Sequence, residues 1–126
     1  REILEAAPEV YRKVQEAVNS LAELRLTKGG KKDYDLMVAL YFSHIFAVLR
    51  ETHRVLKPGG HFCLVLGDSA RYGVHIETDN LIGQLGLSLG FSQYSYYQLR
   101  TRGEKWKENP QRHSIPLREG IVILRK

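Results

Sequence analysis

The sequence is poor in several things. It has one cysteine and one methionine in 126 residues. A single cysteine excludes an internal disulfide framework and points to a reducing, cytoplasmic setting. Cys63 sits inside an apolar run, where a small core residue is expected rather than a nucleophile. Prolines number four, and Pro8, Pro58, Pro110 and Pro116 each stand alone. No apolar stretch approaches the ~20 residues of a membrane-spanning helix, so no membrane role is expected. His44 and His53 lack second ligands at metal spacing, so no metal site is expected. There is no internal repeat and no low-complexity tract.

Acidic residues are also in deficit. Lysine and arginine total 19 against 14 aspartate and glutamate, a formal net charge of +5 with a sequence pI near 9.4. That balance favours an anionic partner, nucleic acid first, with solubility alone as the bland alternative. Hydrophobic content of 43% is ordinary for a globular chain, and the length bounds the answer to one domain.

The chain is organised around residues 54–69. Val55 and Leu56 close an apolar helical pattern. Pro58 forces Lys57 out of the helix, and Gly59 and Gly60 are expected to supply positive-φ freedom for a tight reversal. Phe62-Cys63-Leu64-Val65-Leu66 then reads as a central parallel strand covered on both faces. Gly67-Asp68-Ser69 emerges at its C-terminal edge, where open α/β sheets bind ligands. Asp68, Ser69 and Arg71 are therefore candidate substrate-side residues: the acid and hydroxyl orient a polar ligand and the arginine meets a phosphate. The alternative is a turn in which Asp68 or Ser69 bonds local backbone.

Elsewhere the spacing predicts a helix over residues 2–26, broken near Pro8. Lys28-Gly29-Gly30-Lys31-Lys32 reads as a solvated loop, with phosphate contact as the alternative. A long helix over 34–56 is expected to bury Met37, Leu40, Tyr41, Ile45, Val48, Leu49, Thr52 and Val55 on one face of the sheet, with Asp33 as its cap and Glu51 and Arg54 pairing. Thr78 or Asp79 opens a crossover helix that ends at Gly90. Phe91 to Arg100 fits a strand by its aromatics. Thr101 to Arg118 reads as a long polar connection. Within and beside it Arg102, Lys105, Trp106, Lys107, Arg112 and His113 are candidate nucleic-acid contacts. Gly120 to Leu124 is the last strand, expected to insert antiparallel between the Phe62 and Tyr94 strands.

Arg54-Val55-Leu56-Lys57-Pro58-Gly59-Gly60 followed by an apolar strand resembles the element that joins a helix to the fifth strand in class I S-adenosylmethionine-dependent methyltransferases. Tyr41-Phe42, Leu49, Glu51, Gly67-Asp68-Ser69, Leu89-Gly90-Phe91, Arg112-His113 and Leu117-Arg118-Glu119 resemble the DNA amino-methyltransferases, the N4-cytosine and N6-adenine enzymes of restriction-modification systems. The likeness spans residues 34–126; residues 1–33 form a separate N-terminal helix and Gly/Lys loop. It implies an α/β fold: a partial Rossmann-like methyltransferase sheet with a C-terminal antiparallel hairpin and flanking helices. It also implies S-adenosylmethionine as cofactor and DNA as partner. The family's Asp/Asn/Ser-Pro-Pro-Tyr/Phe tetrapeptide and Gly-rich cofactor loop are both missing. With Met37 the sole methionine, the chain is expected to be the later half of a methyltransferase domain, inactive alone, with the remainder of the parent enzyme as a partner. The alternatives are an RNA or small-molecule methyltransferase and a non-catalytic nucleic-acid-binding subunit of the same fold.

Overall fold

The structure is a computed structural model that describes residues 2–28, 34–71, 74–102 and 117–126. The elements in order are α1 (Glu2–Ala6), α2 (Pro8–Lys28), α3 (Tyr34–Val55), β1 (His61–Gly67), β2 (Ser69–Arg71), β3 (Val74–Ile76), α4 (Thr78–Ser88), β4 (Gln93–Arg102) and β5 (Leu117–Arg125). Pro8 stands at the first position of α2, where a missing N–H is harmless. The expected break therefore separates α1 from α2. The Gly29–Asp33 stretch, with its expected cap, lies outside the described residues.

The main sheet has the order β1-β5-β4. β5 runs antiparallel to both neighbours, so β1 and β4 run parallel to each other. This is the expected insertion of the last strand. The hairpin strands differ from the expected bounds: β4 is shifted two residues onward, to Gln93–Arg102, and β5 is longer, starting at Leu117. The Arg100 Nε–Glu119 Oε2 ion pair, at 3.1 Å, links them beyond a register shift between Gln98 and Arg100. Beyond the Gly67-Asp68-Ser69 edge, expected to open a polar loop or turn, the chain forms a second small sheet in which β2 pairs β3.

Two glycines let α4 lie close on one face of the main sheet. A Cβ at Gly83 would sit 2.5 Å from the Tyr94 ring, and one at Gly86 would sit 2.7 Å from a Leu124 methyl. Ile82, Leu85, Val122 and Leu124 are fully buried there. The helix ends at Ser88 with Leu89 as its C-cap, and Gly90 turns the chain at φ +109°.

The turn into β1 uses its two glycines differently from the expectation. Gly59 takes φ +83°, but Gly60 does not have a positive φ. The Gly60 N–H donates to the Lys57 carbonyl at 2.8 Å, and glycine suits the position because a Cβ would lie 2.9 Å from that oxygen. Lys126 Nζ donates to the carbonyls of His53 and Leu56 at 2.6 and 2.8 Å, satisfying orphan groups at the end of α3.

Three expectations need correction. First, β1 is not a central strand covered on both faces: it pairs β5 alone among the described strands, and its burial alternates. Phe62, Leu64 and Leu66 turn inward, whereas Val65 is 69% exposed. Second, Cys63 shares that outer face and is exposed, not a core residue. Third, α3 buries a stripe that shares only Leu49 with the expected core residues: Val38, Phe42, Phe46 and Leu49 are in the core, while Met37, Leu40, Tyr41, Val48 and Val55 are exposed. The helix carries two apolar stripes, and it packs on α2 and α4. The expected Glu51–Arg54 pair is present at 2.5 Å. The N-terminal helices share the common core through Ile3, Ala7, Val10, Val14 and Leu21. No described helix is long and apolar enough to cross a membrane.

Candidate functional site

The C-terminal end of β1 delivers Asp68 into the protein interior. Its side chain is 1% exposed. A carboxylate buried that deeply needs partners, because desolvation disfavours its charge. Arg118 supplies them: Nε donates to Oδ2 at 3.0 Å and Nη2 lies 3.4 Å from Oδ1. The backbone joins in, with the Asp68 N–H donating to the Arg118 carbonyl at 2.9 Å. Arg118 Nη2 also donates to Asp79 Oδ1 at 2.6 Å, from the first turn of α4. Its guanidinium stands 5.2 Å from the centre of the Tyr96 ring. One arginine thus ties the end of β1, the start of α4, and β4 to β5.

Two carboxylates share that one arginine. Burial raises the Asp79 carboxyl above its usual range; Arg118 opposes this and nearby Asp68 adds to it. Hydrogen bonding to Asp68 raises the Arg118 guanidinium further. Burial also raises the Tyr96 phenol, against the pull of Arg118. Bidentate pairing of this kind fixes geometry as well as charge.

His75, on β3, completes the cluster. Its Nε2 lies 3.4 Å from Asp68 Oδ2. A carboxylate oxygen at that distance can accept from a protonated Nε2, which orients the ring. His75 also lines a cleft of about 370 Å³ between α2, β3 and α4. Lys13, Glu16, Ala17 and Ser20 form the α2 wall; Val74, Ile76, Glu77, Asn80 and Leu81 form the rest. Asn80 Oδ1 accepts the Tyr94 hydroxyl at 3.3 Å, so its amide orientation is set and its NH2 is left to donate elsewhere. Glu16 is paired on its outer side with Arg12 at 2.7 Å.

The sequence-based candidates divide accordingly. Asp68 is at the expected strand end but is committed to Arg118. The backbones of Ser69 and Arg71 form β2, and their side chains lie outside what is described. Arg102 ends β4, its side chain likewise undescribed, and Lys105, Trp106, Lys107, Arg112 and His113 lie outside the described residues. The polar groups that do face the cleft at this edge, namely His75, Glu77, Asn80 and Lys13, were not singled out as a site. The available signal was Glu77 and Asn80 at the start of a helix that follows a strand edge. No protein-family model, curated protein or solved structure matches the chain.

Proposed function

We propose that the chain is the later half of a class I S-adenosylmethionine-dependent methyltransferase domain, one that modifies an exocyclic amino group of cytosine or adenine in DNA. The observation that carries the reading is the strand order β1-β5-β4, with β5 antiparallel between two parallel strands joined by α4. It is the hairpin edge that the resemblance implies, and it begins directly after the Arg54–Gly60 turn. A second support is the uncovered edge of β1. That strand carries no formal charge and no proline, the usual protections of a true edge. β4, at the other edge, carries Arg100 and Arg102 and a register shift. The remainder of the parent enzyme would continue the sheet across β1. The net charge of +5 suits DNA.

The described residues do not fit the cofactor as a complete site. Gly59 and Gly90, the two with positive φ, precede β1 and β4. A phosphate- or nucleoside-cradling loop instead follows a strand's C-terminal end. No catalytic step is therefore assigned to this chain. In this reading it contributes scaffold: Arg118 fixes the edge of the sheet beside the substrate, and positioning is a large part of what such enzymes supply.

The test is transfer of labelled methyl from S-adenosylmethionine to DNA by the full-length parent polypeptide that this reading implies. Label on N4 of cytosine or N6 of adenine supports it. Label on RNA or on a small molecule moves the chain to those relatives. DNA binding with no cofactor binding marks a non-catalytic subunit and overturns the enzymatic reading.

A further inference from the structure

We propose that the end of the main sheet opposite Asp68 grips the phosphate backbone of a nucleic acid through Lys57, His61, Gln93 and Arg125. This rests on the nucleic-acid side of the function proposed above and adds the surface that holds the partner.

Three segments meet at this end: residues 53–61, 90–93 and 125–126. Hydrogen bonds join them. The Lys126 N–H donates to the Gly60 carbonyl at 2.9 Å, and the Gly59 N–H to the Lys126 carbonyl at 3.2 Å. The Ser92 N–H donates to the Arg125 carbonyl at 2.8 Å. The segments hold four basic residues, Arg54, Lys57, Arg125 and Lys126, and no aspartate or glutamate. Of the 19 basic and 14 acidic residues of the chain, that leaves 15 against 14 elsewhere. The net charge of +5 is therefore concentrated at one end. Charge of one sign gathered on one surface attracts a polyanion.

The strand register arranges the groups. His61 pairs with Arg125, and Arg125 with Gln93. Side chains paired in this way share a face and stand ~5 Å apart, so they form a row about 10 Å long across all three strands. All three are exposed, as is Lys57 in the preceding turn. No described residue pairs with the side chain of Lys57 or Arg125, whereas Arg54 is tied to Glu51. Lysine, arginine and glutamine donate to phosphate oxygens, and such a row spans successive phosphates, which rise ~3.4 Å apiece along one strand. The carbonyls that end α3 would repel a phosphate, but Lys126 Nζ donates to two of them, at 2.6 and 2.8 Å. A nucleic acid fits better than an anionic membrane, because the row offers hydrogen-bonding groups and no apolar anchor. β1 runs from His61 to Gly67, about 20 Å at the rise of a strand, which separates this surface from the Asp68 cluster.

The experiment is fluorescence anisotropy of a labelled DNA duplex titrated with the 126-residue chain over a series of salt concentrations. Binding should be independent of the duplex sequence, because phosphates carry no sequence information. Lys57→Ala and Arg125→Ala should each weaken it about fivefold at low salt, and each should lower the slope of log affinity against log salt by about one. Both remove exposed side chains, so the unfolding midpoint should hold. Lys13→Ala, which removes the same charge from α2, should change affinity by less than about twofold. Equal losses from Lys13→Ala and Arg125→Ala overturn the proposal, as does the absence of DNA binding, or tighter binding to phosphatidylserine vesicles than to the duplex. Methyl transfer by the longer polypeptide that the proposed function implies, with DNA binding unaltered by Lys57→Ala and Arg125→Ala, keeps the methyltransferase reading and sinks this one. DNA binding that depends on both residues, without methyl transfer, does the reverse.

Discussion

The two faces of the main sheet are made of similar residues and have opposite fates. On one face Val122 and Leu124 are fully buried beneath α4, which approaches closely through Gly83 and Gly86. On the other, Cys63 and Val65 of β1 pair with Ile123 and Ile121 of β5 in an apolar surface that no described helix closes to the same degree. Val65 is 69% and Tyr97 59% exposed. α3 repeats the contrast on a single helix, with one apolar stripe in the core and a second facing out. Composition sets what is able to be buried; the neighbours present decide what is buried.

Substitutions on the two stripes of α3 should separate most widely. Phe42→Ala removes a ring that is 2% exposed and should cost about 4 kcal/mol. Leu40→Ala, at 57% exposure, should change stability by less than about 0.5 kcal/mol. Urea denaturation of the two variants measures the gap, and equal effects would mean the stripes are wrongly assigned. Next comes the charge cluster. Asp68→Ala strands Arg118 and should cost about 3 kcal/mol, whereas Asp68→Asn, which keeps an acceptor, should cost visibly less. A smaller effect, about 2 kcal/mol, is expected for Gly83→Ala, because its methyl meets the Tyr94 ring and forces α4 off the closed face.

The finest test concerns pH. Asp79 is raised above its usual value by burial. A raised carboxyl binds its proton more tightly in the folded state than in the unfolded one. Stability attributable to Asp79 is therefore greatest below its unfolded value and declines as pH rises through the folded value. Asp79→Asn should remove that decline from a plot of unfolding free energy against pH. An unchanged slope would show that Arg118 fully offsets the burial.

How far the sequence revealed this arrangement depended on whether the deciding signal was local. Thr78 and Gly90 marked α4 because helix starts and stops are written in neighbouring residues. The apolar run Ile121 to Leu124 marked the central strand. In α3, however, Met37-Leu40-Tyr41-Val48 and Val38-Phe42-Phe46-Leu49 both recur at three and four. Periodicity gives the period but not the phase, and a helix apolar on two sides has two admissible phases. β1 misled for a related reason: an unbroken apolar run implies two covered faces, whereas Cys63 and Val65 stand exposed on one of them. The candidate site was the least legible part. Asp68 meets Arg118 across 50 residues, and His75 acquires its role only when β3 folds back beside Asp68. No spacing rule connects those positions.

Hydrogen exchange along β1, in the 126-residue chain and in the longer polypeptide that the proposed function implies, tests most directly whether the sheet continues past this strand. In the chain alone, alternate β1 amides should exchange fast while those of β5 are protected along its length, since β5 alone is paired on both sides. In the longer polypeptide all β1 amides should become protected. A β1 that keeps its fast-exchanging half there would contradict the account, because its free edge would then be a true edge of the finished protein.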